Sequence, residues 1–176
     1  MAEENGSVAF YEPTIRAVIP LDTFHVPRRL ARHIRHSGYE MRVDHAFRRV
    51  MEECAAPVPG RESTWISQEL IDAYVELHRI GLAHSVEVWR AGELVGGLYG
   101  VAIRGLFAGE SMFNRVADAS KVALVYLVER LQLGGFELLD SQYIVSDHLR
   151  QFGVEEIARG EYKRRLAAAL NVDAHF

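Results

Sequence analysis

The sequence predicts an α+β fold: a mixed sheet in which an antiparallel meander continues through a helix into a parallel βαβ crossover, with helices flanking it. Three observations lead there. From Ser85 the apolar residues follow a period of two, in Val86 and Val88, in Leu94 to Ile103 and in Leu106 to Ala108, with turns at Ala91–Gly92 and Arg104–Gly105. An apolar helix that Asp118 is expected to cap and that runs to Gly134 comes next, and Phe136 to Tyr143 then reads as a further strand. Two strands joined by one helix are parallel neighbours, because only a connection of that length can carry the chain back to the starting end of the sheet.

The remaining elements follow in order. Ile15 to Ile19 reads as a short strand closed by Pro20. Pro27 suits a first helical turn, after which Leu30, Ala31 and Ile34 form an apolar stripe opposite a row of arginines, ending at Gly38. Tyr39, Met41 and Val43 alternate as a strand. Asp44 is expected to cap a helix through Cys54 whose inner face is Phe47, Val50, Met51 and Cys54. Ala55 to Ser63, with Pro57, Pro59 and Gly60, is a loop. Ser67 caps a helix with Leu70, Tyr74 and Leu77 on one face, stopped by Gly81. Gly96, Gly97 and Gly100 within the middle meander strand mark a bulge or a close approach to the backbone.

Composition narrows the function. With 176 residues, 49% hydrophobic and 25% charged, the chain suits one domain over residues 1–176, Met1 to Phe10 being a tail. The longest apolar run, Val122 to Val128, is too short to span a bilayer, so no membrane partner is expected. Met1 to Ser7 has no export signal, which points to the cytoplasm. The single Cys54 excludes an intrachain disulfide and a cysteine-rich zinc site and reads as a small core residue. His33 with His36, and His78 with His84, lack a completing ligand set, so neither metal nor other cofactor is expected. A net charge of −4 argues against a generic nucleic-acid binder. Basic residues are nevertheless clustered, in Arg28, Arg29, Arg32, Arg35, Arg42, Arg48 and Arg49 and again in Arg159, Lys163, Arg164 and Arg165. These are either solvated helix faces or one local phosphate-binding face.

The crossover also places polar residues together. A helix of about 15 residues rises about 22 Å, and about six strand residues recover about 20 Å, which sets Gln142 level with Glu110. Asp140 and Gln142, two apart on a strand, face the same side, and ligands in such layouts bind at the carboxyl ends of strands. Glu110, Asp140 and Gln142 therefore converge beside an apolar helix.

The stretches AHSVEVWRAGELVGGLYGVA, GESMFNRVADASKVAL and LLDSQ closely resemble the leucyl/phenylalanyl-tRNA–protein transferase family, and with STWIS and FGVEEIARGEY the likeness runs from about Tyr11 over nearly the whole chain. The resemblance implies an acetyltransferase-like (GNAT) fold and an enzyme that moves leucine or phenylalanine from charged tRNA to the N-terminal Arg or Lys of a protein, marking it for degradation by the N-end rule. It implies catalytic positions at Glu110, Asp140 and Gln142, with Trp65 stacking on the terminal adenosine. Leu98, Met112, Leu124, Leu127, Leu131 and Ser141 would line the pocket for the amino-acid side chain, and Arg28, Arg29, Arg32, Arg35, Lys163, Arg164 and Arg165 would meet tRNA. Ser141 stands where a cysteine is common, and this chain starts near where an additional N-terminal region of the family would end. In the expected chemistry Asp140, oriented with Gln142, positions the attacking amine and takes its proton, while Glu110 holds the cationic acceptor. The alternatives are an acyl-CoA-dependent N-acyltransferase and a non-catalytic tRNA or N-degron binding module.

Overall fold

The computed structural model describes residues 12–58, 62–143 and 149–176; the expected tail Met1 to Phe10 and the loop residues Pro59 and Gly60 lie outside them. Its elements are β1 (Ile15–Ile19), α1 (Arg28–His36), β2 (Glu40–Val43), α2 (Phe47–Ala55), α3 (Gln68–Arg79), β3 (Ala83–Arg90), β4 (Glu93–Ile103), β5 (Leu106–Asn114), α4 (Ala119–Leu133), β6 (Leu138–Gln142), β7 (Glu155–Ala158) and α5 (Arg159–Ala169). They build a seven-stranded sheet in the order β2-β3-β4-β5-β6-β1-β7. The pair β5–β6 is parallel, as the crossover requires, and the other five pairs are antiparallel. The predicted α+β class, meander plus βαβ crossover, is what the structure has.

Alternation along the strands divides the core between the two faces of the sheet. Val86, Val88, Leu98, Phe107 and Leu139 pack against α4 and Leu30 of α1. On the other face Ala83, Trp89, Leu94, Tyr99 and Phe113 meet α2 and α3, and Val18, Leu106 and Leu138 meet α5. Cys54 is fully buried in the second of these clusters.

Three local expectations change. Asp44 does not cap α2: with φ 58° it lies beside β3, where its carboxylate accepts the Ser85 N–H at 2.8 Å and meets His84 Nδ1 at 2.7 Å. The entry to α2 is held instead by the buried Glu87, which accepts from Ala46 N–H at 2.6 Å, Ser85 Oγ at 3.0 Å and Trp89 Nε1 at 2.9 Å. Asp118 occupies the N-cap position of α4, yet its side chain pairs with Lys121 at 2.5 Å rather than capping. The strand that ends at Ala108 by pattern runs on to Asn114, because its continuation pairs with β4 as far as Gly96↔Asn114.

The glycines of β4 mark close approaches, as the pattern suggests. A Cβ at Gly96 would come within 2.5 Å of Ala119 Cβ and 3.1 Å of its backbone carbonyl carbon, so the first turn of α4 rests directly on the strand. Gly96→Ala is expected to overpack this contact and lower stability by about 1–3 kcal/mol, measured by denaturant unfolding. An unchanged midpoint would mean that α4 sits further from the sheet.

Candidate active site

Two irregularities shape the end of the parallel pair. The register of β4 against β5 passes from Tyr99↔Ser111 to Gly100↔Gly109, leaving Glu110 as the extra residue of a bulge. Against β1, β6 passes from Val18↔Asp140 to Ala17↔Gln142, so Ser141 is extra there. The β5–β6 pairing recorded among the described residues ends at Ala108↔Asp140. Beyond it β5 continues while Gln142, with φ 68°, turns into the left-handed region. The two strands thus part where three polar side chains meet, and left-handed backbone in a non-glycine residue is a form of strain found at functional sites.

Asp140 is the anchor of the cluster, with 0% exposure. Its Oδ2 accepts from the Arg16 guanidinium and from the Tyr162 hydroxyl, the latter at 2.7 Å, and its Oδ1 accepts the Gln142 backbone N–H at 2.7 Å. Burial, and donation to Asp140, push the Tyr162 hydroxyl up to about 12. Gln142 spans the gap between the strands: its side-chain nitrogen donates to the Gly109 carbonyl and to Glu110 Oε2, each at 3.0 Å. The Gly109 carbonyl can only accept, which settles the orientation of the amide and leaves its oxygen for another partner.

Glu110 is half-buried, and that burial raises its carboxyl above the ordinary value, against the hydrogen bonds of Gln142 and Tyr74, while the charge of Asp140 adds to the rise. Burial likewise raises the Tyr74 hydroxyl, with the neighbouring Glu110 adding to it. Glu110 is in no ion pair among the described residues, so it is a carboxyl group that holds its proton more tightly than usual and can exchange a proton or meet a cation.

The structure therefore brings Glu110, Asp140 and Gln142 together on the α3 and α5 side of the sheet. Leu98, Leu124, Leu127 and Leu131 lie in the core on the α4 side, and Met112, paired with Leu98 across the strands, is 37% exposed at its rim. Ser141 donates to the Ala17 carbonyl at 3.1 Å. Trp65 packs, partly buried, against the cluster under α2 and α3. The two basic groups differ. Arg28, Arg29, Arg32 and Arg35 on α1 are exposed, with no ion pair among the described residues. On α5, Lys163 pairs with Glu12, Arg164 with Glu161, and Arg165 with Glu161 and Glu155.

Sequence reasoning missed Arg16, Tyr74 and Tyr162. Tyr74 carried a signal, a hydroxyl on an otherwise apolar helix face; Arg16 and Tyr162 carried none, since they meet Asp140 across 124 and 22 residues. His78 and His84 flank Asp44 at 3.8 and 2.7 Å, and no group of three or more metal-ligating side chains forms among the described residues. No helix among them is long and apolar enough to cross a membrane.

A meander continued through one helix into a parallel strand, with Glu110, Gln142 and the buried Asp140 where that pair parts, gives the chain a GNAT-like α+β fold. The chain belongs to the leucyl/phenylalanyl-tRNA–protein transferase family, whose pattern matches residues 18–167. A protein of that name from Phenylobacterium zucineum (strain HLK1) is 56% identical over 175 residues, covering 99% of this chain and 79% of its own. Another, from Herpetosiphon aurantiacus, is 55% identical and is covered over 89% of its length. Among solved structures, L-PGS from Bacillus licheniformis is similar in fold, with TM-score 0.52 and 17% identity over 77% of this chain and 48% of that one.

The raised carboxyl of Glu110 has a consequence for stability. The folded chain takes up this proton at a higher pH than the unfolded chain does, so ionised Glu110 is a cost that is full above its folded pKa and fades as the pH falls through it. Glu110→Gln is expected to melt at or above the parent temperature at alkaline pH, with the difference closing as the solution is acidified. A variant that melts lower at every pH would contradict this.

Proposed function

We propose that the protein transfers leucine or phenylalanine from charged tRNA to the N-terminal Arg or Lys of acceptor proteins, forming a peptide bond, in the cytoplasm. The observation that carries this is the Gln142 amide bridging Gly109 and Glu110 at 3.0 Å where β5 and β6 part. It leaves one amide oxygen and one half-buried carboxyl group side by side where the strands part, which suits an amine nucleophile.

The acceptor's α-ammonium gives a proton to Glu110, and its remaining N–H is aligned by Gln142 Oε1. The amine nitrogen then attacks the ester carbonyl carbon, and the bond to the ribose oxygen of the terminal adenosine breaks, that oxygen leaving with a proton. Asp140 already accepts three hydrogen bonds, so its part is orientation and the base is Glu110. An α-amino group has a pKa near 8, so supplying the neutral amine at neutral pH costs about 1.4 kcal/mol. Holding amine and ester together contributes about 7–11 kcal/mol, so placement outweighs base strength. The cationic first residue of the acceptor is drawn to Glu110 while that group is ionised, before the proton transfer, and Glu110 is in no ion pair among the described residues.

The donor's side chain enters between the parted strands, past Met112, toward Leu98, Leu124, Leu127 and Leu131, with Ser141 beside it. Leucine and phenylalanine are unbranched at Cβ, and methionine adapts to either; valine and isoleucine are stiffer and wider at that atom. Trp65 offers a ring for the terminal base. The tRNA body lies along α1, whose arginines are exposed and in no ion pair among the described residues, rather than along α5, whose charges are matched.

Single-turnover transfer of radiolabelled leucine from Leu-tRNA to an Arg-starting peptide tests the reading. The parent is expected to transfer, and Gln142→Ala to slow transfer by about 100-fold; transfer from acetyl-CoA instead, or an unaffected variant, would refute it. For the tRNA path, Arg28→Ala with Arg32→Ala is expected to weaken binding of charged tRNA and to flatten its salt dependence by about 0.7–0.9 per lost phosphate contact. Lys163→Ala with Arg164→Ala should leave both unchanged. Equal effects of the two pairs in a binding titration would remove the distinction between the helices.

A further inference from the structure

We propose that Arg16 and Tyr162 are positioning residues for the transfer reaction, acting through Asp140 on Gln142; the inference rests on the transferase reading above. Asp140 Oδ2 receives Arg16 from β1 and the Tyr162 hydroxyl from α5, at 2.7 Å for the latter. With that oxygen pinned from two elements, Oδ1 is aimed at the Gln142 N–H, 2.7 Å away. Gln142 needs such a hold. Its φ of 68° is uphill for a side chain of this kind, and the same residue reaches Gly109 and Glu110 with its amide. Five hydrogen bonds thus link β1 and α5 to the reacting groups.

The two donors brace each other as well. The Arg16 guanidinium lies 4.9 Å from the centre of the Tyr162 ring. Arg16 Nε is buried without a hydrogen-bond partner among the described residues, so the guanidinium is placed to serve Asp140 at the expense of its own saturation, an arrangement that stability alone does not favour. Tyr162 and Arg16 touch none of the reacting atoms in this scheme. Their effect is carried by the direction in which Asp140 points.

Tyr162→Phe keeps the ring and its packing and removes the hydroxyl. The single-turnover transfer rate is expected to fall about tenfold, as for a hydrogen bond to a charged group, with KM for charged tRNA within about twofold of the parent and the melting temperature little changed. In the Asp140→Asn background the same substitution is expected to slow transfer no further, because the path is already cut. Independently of turnover, the Gln142 backbone amide proton, shifted downfield by its carboxylate partner, should move upfield in Tyr162→Phe and in Arg16→Lys. A Tyr162→Phe enzyme at the parent rate, a further full loss on top of Asp140→Asn, or a slowed variant whose Gln142 resonance has not moved would each overturn the proposal. If the parent itself transfers nothing, the transferase reading fails, and the resonance still decides whether the path exists.

Discussion

One buried carboxylate organises this molecule. Asp140 has no solvent contact, and an ionised group in that position is tolerated only when donors surround it. The donors come from three places: Arg16 on β1, Tyr162 on α5 and the backbone of Gln142 on β6 itself. The first strand of the sheet and the last helix are therefore tied to one side chain, and β1 lies between β6 and β7 as that tie requires. A hydrophobic residue at 140 would remove the desolvation cost. It would also remove the hold on Gln142, and with it the geometry on which the proposed chemistry depends.

Strain collects around this anchor. Bulges place Glu110 and Ser141 out of register on neighbouring strands, and Gln142 takes a left-handed backbone. Each raises the local energy, and each is offset by hydrogen bonds reaching across the gap, from Gln142 to Gly109 and Glu110 and from Ser141 to Ala17. The packing that supports the cluster lies on both faces, with Leu98 and α4 beneath and α3 and α5 beside it. A rigid sheet whose neighbouring strands part at the polar cluster is what a reaction governed by placement needs.

Much of this was legible in the residues. Strict alternation in the meander and the apolar run of α4 make β3, β4, α4 and β6 readable, and the lengths of helix and strand alone bring Gln142 level with Glu110. What was hidden has physical reasons. Gly109, Glu110 and Ser111 lack strand propensity, so the strand pattern stops at Ala108, while pairing with β4 carries the strand on through the bulge to Asn114. Asp44 has the chemistry of a cap, but tertiary contacts with His84 and Ser85 outcompete that local use. β7 is a short, largely polar strand at the sheet edge with no periodic signal. Arg16 looked like one polar residue in an edge-like strand, because nothing local reveals a partner 124 residues away.

The most direct measurement is a crystal structure of the protein with a non-hydrolysable aminoacyl-adenosine amide. The leucyl side chain is expected between β5 and β6 past Met112, with the carbonyl carbon on the Glu110 and Gln142 side of the sheet and the Gln142 amide still joined to Gly109. An analogue seated away from the parting of these strands, with Glu110 and Gln142 facing empty solvent, would contradict the central claim.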